Sequence, residues 1–382
     1  MIVEKMVVHP ASYRFKASFG ISRGKIGAIG ELAPHVLVSL RSSSGSQGWG
    51  ECRPSNLWSY ETKETVVTTL ENYLRPCIEG HDPEDIPGLH RRMDAVIAGG
   101  ITRGQPIAKS GIDIAAHDLI CRAEGVSLFE FLGGRGQAKI NLTYLVSASS
   151  EDEAANQVRL GKKKGFRGFK IKIGKGVERD LEIISACKEE AGGYMLWANA
   201  NQAYHLQDAI KLSREAAKSD LQFLEQPLAS TDRSGLIKLS RSSPVTVAID
   251  ESVFTDKDLV DFVSLGFEGA VVAKTAKSGG VFPARKMIEV ARESGLEVLG
   301  SGLTEGMVGF SASAQLFAAA GLSHPVDLNG PQFIIDHLAA GPIVEGGTAV
   351  AGGPGLGVKI DVGGLRRGRK GGGRSSAHRS SC

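Results

Sequence analysis

Phe169-Lys170-Ile171-Lys172, Tyr194-Met195-Leu196-Trp197-Ala198-Asn199, Phe223-Leu224-Glu225-Gln226-Pro227, Val245-Thr246-Val247-Ala248-Ile249-Asp250 and Ala270-Val271-Val272-Ala273-Lys274 decide the fold. Each is a short apolar run with polar residues at its end, and they recur about every 25 residues, the length of one βα unit. The same cadence extends to Ile140–Val146 before them, and to Leu296–Ser301 and Pro325–Leu328 after them. Eight buried strands alternating with helical segments predict a parallel sheet closed into a barrel, with functional groups at the C-terminal strand ends. Lys170, Lys172, Asn199, Glu225, Asp250 and Lys274 all fall at those ends.

Outside the repeat the pattern changes. Val36–Leu40 and Gly45–Glu51 read as strand, turn and strand, a helical stretch follows near Thr62 to Leu74, and a second begins after Pro106. In that second helix Ile112, Ala115, Ala116, Leu119 and Ala123 share one face. Strands followed by helices without alternation predict an α+β cap over the barrel mouth. The expected divisions are a cap over 1–130, a barrel over 131–340, a C-terminal return to the cap over 341–365 and a disordered basic tail over 366–382.

The 382 residues and 42% hydrophobic content suffice for two domains with a large core. Met1-Ile2-Val3-Glu4-Lys5 carries charges where a signal peptide needs apolar residues, and no apolar run is long enough to span a bilayer, so a cytoplasmic protein is expected. Five scattered cysteines without CxxC spacing predict reduced thiols. The net charge of +3 includes six positive charges in the Gly/Arg/Ser tail, so the body stands at −3. That tail has no aromatic residues to stack on bases, and neither a nucleic-acid nor a membrane partner is expected.

Residues two apart on a strand share a face, so Lys170 and Lys172 point into the barrel while Phe169, Ile171 and Ile173 point out to the helices. Burial and a neighbouring like charge lower a lysine pKa and would make one of the pair a general base. Taken alone they could equally be solvated strand-end lysines. Glu225 and Asp250, one βα unit apart, are placed to share a hard cation such as Mg²⁺, although either could instead serve as a helix cap or loop ion pair. A cation holding a substrate carboxylate stabilises the enediolate left when the α-proton departs. With Lys172, Lys274 could bracket that substrate.

These residues, with Gly48-Trp49-Gly50-Glu51, Asn199-Ala200-Asn201-Gln202-Ala203-Tyr204, Asp250-Glu251-Ser252, Lys277-Ser278-Gly279-Gly280 and Thr304-Glu305-Gly306, resemble the enolase superfamily, specifically its muconate lactonizing enzyme subgroup (mandelate racemase/muconate cycloisomerase). The resemblance covers residues 1 to about 365. It implies an α/β protein, a modified TIM barrel (β/α)₇β with an N-terminal α+β cap, one Mg²⁺ or Mn²⁺, and proton abstraction α to the carboxylate of a small substrate. It assigns Lys172 as base, Lys170 as its neighbour and Lys274 as the acid or base opposite. Asn199, Glu225 and Asp250 take the metal positions, and Asn201, Ser301, Glu305, Asp327 and Asn329 the substrate-binding ones. A homo-oligomer is expected.

One departure stands out. Where the family has Asp-x-Asn, this chain has Asn199-Ala200-Asn201, which removes one negative charge from the metal's ligands. Glu305-Gly306 resembles the cycloisomerases, while Asp327-Leu328-Asn329 keeps only the first acid of the Asp-x-Asp with which dipeptide epimerases hold an ammonium group. Asp327 could instead cap a helix. Isomerisation of a muconate-like diacid or of an amino-acid derivative is the expected activity. Dehydration of a hydroxy acid and a catalytically silent metal-binding barrel are the alternatives. Cap loops around Phe19–Ser22 and Pro54–Trp58 are expected to close the mouth.

Overall fold

The computed structural model describes residues 1–100 and 103–365. The basic stretch 366–382, expected to be disordered, lies outside the described residues, as does Cys382. Cys52, Cys77, Cys121 and Cys187 are free thiols, as expected.

Seven parallel strands run in sequence order around one sheet: Tyr144–Val146, Gly168–Lys172, Met195–Asn199, Phe223–Glu225, Thr246–Ile249, Ala270–Ala273 and Glu297–Gly300. The eighth segment is reduced to two parallel bridges, Ser301 with Asp327 and Leu142 with Val326. Asp327 N donates to Gly300 O and Thr143 N to Val326 O, each at 2.9 Å, so residues 325–328 join the last strand to the first and close the cylinder. Among the described residues no long helix follows. After the short helix Gly330–Phe333 the chain enters Ile334–Ile335, which pairs antiparallel with the first cap strand.

The barrel's two faces separate as strand alternation requires. Trp197, Phe223, Ala248, Ala270, Val272 and Leu299 fill the interior, while Phe169, Ile171 and Ile173 belong to the larger core shared with the surrounding helices. Those helices carry their own signals. Glu151–Lys163 starts where Ser150 accepts from Glu153 N, with three acids in its first turn and Lys162 and Lys163 in its last, matching the helix dipole.

The cap is a meander of Val3–Phe15, Leu32–Ser42 and Gln47–Cys52, packed on the helix Pro106–Glu124. A Cβ at Gly50 would stand 1.9 Å from Gly111 O, and one at Gly48 2.2 Å from Ala115 O, so only glycine lets strand and helix approach this closely. The helix differs from the one-faced element expected. Every residue from Pro106 to Cys121 is buried, because sheet and barrel enclose it from both sides, and Ala123, assigned to the apolar face, is exposed. The C-terminal segment first pairs Thr348–Ala351 with Ala138–Asn141 and then returns to the cap helix, where Leu356 N donates to Asp118 Oδ1 at 2.7 Å.

Candidate active site

Register places the polar residues side by side. Lys172 is paired with Asn199 and Asn199 with Glu225 across neighbouring strands, so successive strand ends present an amine, an amide and a carboxylate at one level. Asp250 follows directly after the next strand and Lys274 after the one beyond.

Lys170 sits at the centre. Its ammonium lies 2.8 Å from Glu225 Oε2 and 3.0 Å from Asp327 Oδ2, and its Nζ is 3.9 Å from the Trp197 ring centroid. Burial alone would lower its pKa, but Asp327 and Glu225 outweigh burial and hold the ammonium above the usual lysine value. The neighbour two residues on behaves oppositely. Burial and then the Lys170 charge bring Lys172 down to about 8. Its Nζ donates to Asn201 Oδ1 at 3.0 Å, and Asn201 Nδ2 in turn donates to Glu251 Oε1 at 2.9 Å. The alternation that aims both lysines inward therefore yields one locked cation and one amine whose pKa is lowered toward neutral pH.

On the other side Asp250 is gripped by two ammonium groups, Lys274 at 2.6 Å and Lys277 at 2.8 Å. Burial would raise its pKa, but these two lysines hold it well below the usual carboxylate range. Lys274 Nζ also lies 4.3 Å from the Trp58 ring centroid, so Trp58 does more than pack the cap. Glu225, fully buried, is pushed by burial up to about 7 against the pull of Lys170. Asp327 caps no helix: its oxygens take Ser301 Oγ at 3.1 Å and Asn329 Nδ2 at 3.0 Å besides Lys170. Thr304 Oγ1 donates to Asn329 Oδ1 at 2.8 Å, and burial pushes Glu305 up to about 7.

Lys170, Lys172, Lys274, Asp327, Asn329 and Thr304 share one cavity of about 40 Å³, roofed by Phe19, Ile21, Ile26, Ser55 and Trp58 from the cap. Asn199, Glu225, Asp250, Asn201 and Ser301 stand behind these residues, hydrogen-bonded or ion-paired to them or to each other. A larger hollow of about 530 Å³, beside Leu142–Tyr144 and the Gly346–Gly347 turn, holds none of the lysines at the strand ends. Lys277, Glu251 and Gln226 had no assigned role in the sequence. Lys277 is one helical turn from Lys274, which is the signal that could have found it.

Glu225 Oε2 and Glu251 Oε2 are buried with no aligned hydrogen bond, and the side chains at the three strand ends are all oxygen donors in kind. Among the described residues no cluster of three or more His, Cys, Asp or Glu side chains is placed to hold a metal. The set fits Mg²⁺ chemically, with one carboxylate fewer.

Two family models cover most of the chain: the mandelate racemase/muconate lactonizing enzyme N-terminal domain over residues 13–133 and the enolase C-terminal domain-like model over 153–363. The chain is 30% identical over 322 residues to a hydrophobic dipeptide epimerase of Enterococcus faecalis, covering 84% of this chain and 88% of the relative. It is 27% identical over 340 residues to muconate cycloisomerase 1 of Rhodococcus opacus, covering 86% and 89%. The crystal structure of the E. faecalis V583 dipeptide epimerase, complexed with Mg and L-Leu-L-Tyr, superposes with a TM-score of 0.87 at 27% identity, covering 94% of this chain and all of that one. The chain belongs to the mandelate racemase/muconate lactonizing enzyme family and is an isomerase of the enolase superfamily.

Proposed function

We propose that this isomerase removes the proton α to a substrate carboxylate, with Lys172 and Lys274 as the proton-transfer groups and Lys170 as a fixed cation between the acids. The observation that carries this is the shared cavity: both amines line one small volume, while Glu225 and Asp250 lie directly behind it. With a pKa near 8, Lys172 has a neutral fraction at pH 7 and can accept a proton. Its hydrogen bond to Asn201 holds the amine in place at the cavity wall. Lys274, an ammonium paired with Asp250, can return a proton to the carbanion carbon or accept one in the reverse sense. Glu225, Asp250 and the Asn199 amide oxygen are the residues that would hold Mg²⁺ or Mn²⁺, and the bound cation supplies positive charge to the substrate carboxylate and the enediolate.

Charge narrows the substrate class. The cavity presents three lysines and a single carboxylate, and that carboxylate, Asp327, is already taken by Lys170 at 3.0 Å. A substrate ammonium finds no unpaired acid on the wall, so the substrate is a carboxylate without a free amino group, either an N-acylated amino acid or a diacid. A volume of about 40 Å³ is too small for either, so the Phe19–Ile21 and Gly24–Gly27 hairpin must open for entry.

Incubation of N-acyl amino acids, cis,cis-muconate and free dipeptides with the protein and Mg²⁺ in D₂O tests this by NMR. Deuterium at Cα of N-acyl acids, or lactone formed from the diacid, is expected. Exchange confined to free dipeptides would overturn the substrate class, and no exchange or product in any arm would overturn the reaction.

A further inference from the structure

Glu51 lies next to the end of the cap strand Gln47–Cys52 yet spends both oxygens on the barrel. Oε1 accepts from Gly306 N and Oε2 from Gly309 N, both at 2.8 Å, at the first turn of the helix Met307–Ala319. The carboxylate is itself held by His35 Nδ1 at 2.6 Å, and His35 packs on Tyr13 with ring centroids 4.3 Å apart. The two glycines are matched to it. A Cβ at Gly306 would stand 2.9 Å from Glu51 Oε1, and one at Gly309 3.3 Å from Oε2.

The loop ending at Gly306 lines the cavity through Gly302, Leu303 and Thr304. Thr304 has φ +67°, a conformation that costs a β-branched residue about 1–3 kcal/mol and persists only where its surroundings enforce it. Three bonds do so: Leu303 N to Glu305 Oε2 at 2.8 Å, Thr304 Oγ1 to Asn329 Oδ1 at 2.8 Å, and the Glu51 grip just beyond.

We propose that Glu51, backed by His35, is a positioning residue for substrate: from the cap it holds the Gly302–Gly306 loop in the strained conformation that presents Thr304 to the cavity. This rests on the cavity being the substrate site. The cap thus acts on specificity from beneath, through the loop after the seventh strand, as well as from its roof.

The test uses the full-length protein. Glu51→Gln keeps one acceptor oxygen but turns an NH₂ group toward the second amide. The Gly306 and Gly309 amides should then exchange with D₂O about tenfold faster, and KM for whichever N-acyl or diacid probe the wild type converts should rise about tenfold with kcat within about twofold. A fall in melting temperature with amide exchange and KM unchanged would overturn the proposal. If Glu51→Gln does not fold, His35→Phe, which removes the hydrogen bond backing Glu51 Oε1, decides: it should raise Gly306 amide exchange and KM in the same direction, and both unchanged would overturn the proposal. Amide exchange needs no substrate, so wild-type inactivity toward every probe sinks the functional reading, whereas unchanged exchange sinks this one.

Discussion

Asn199 donates its amide to Glu225 Oε1 across 2.6 Å, where an aspartate would set two carboxylates against each other. Its Oδ1 accepts from Asn201 N at 2.9 Å, which fixes the amide's orientation. Replacing Asn199 by Asp should therefore act oppositely in the two states. Without metal the variant should lose about 2 kcal/mol of stability through carboxylate repulsion. With Mg²⁺ its affinity should rise at least about tenfold, or about 1.4 kcal/mol. Urea melts with and without Mg²⁺, together with a calorimetric titration, check both halves. An unchanged affinity would show that Asn199 is not a ligand.

Lys172 predicts a pH profile. Its folded pKa is lowered to about 8 and the neutral amine is the active form, so the exchange rate should rise with pH through 8 and fall about tenfold per unit well below it. Lys172→Arg, which stays protonated, should abolish the exchange that Lys172 carries across the whole range. A flat wild-type profile between pH 6 and 9 would argue against Lys172 as base.

Asp327 holds Lys170 from the side opposite Glu225. Asp327→Asn leaves a buried ammonium with one partner fewer and should cost about 3 kcal/mol in urea unfolding. Loss of less than about 1 kcal/mol would mean that Glu225 alone suffices.

Gly50→Ala drives a methyl group to 1.9 Å from a helix carbonyl, a backbone atom that cannot step aside. A loss of at least about 3 kcal/mol is expected, measured by thermal or urea melts.

Much of this was legible in the chain because a strand-end position is a register position. The recurring apolar runs specify where each strand stops, and alternation specifies which side chains enter the barrel, so Lys170, Lys172, Glu225, Asp250 and Lys274 could be placed together beforehand. What the sequence withheld was partnership. The resemblance assigned Lys172 as base, but strand alternation by itself does not say why Lys170 is the lysine locked by Glu225 and Asp327, since that depends on strands up to 157 residues away. Lys277 was quoted within a motif but given no role, because that role is a contact with Asp250 across two elements. The burial of the helix Pro106–Glu124 on all sides was hidden for the same reason: small residues such as Gly111 and Ala115 read as weakly apolar, and only Gly48 and Gly50 opposite them explain their size.

The most direct measurement is deuterium incorporation from D₂O, with Mg²⁺, into each enantiomer of a substrate by the wild type, Lys172→Ala and Lys274→Ala. Two amines facing one cavity predict that each variant loses exchange for one enantiomer and retains it for the other. Exchange at the wild-type rate for both enantiomers in either variant would contradict the account.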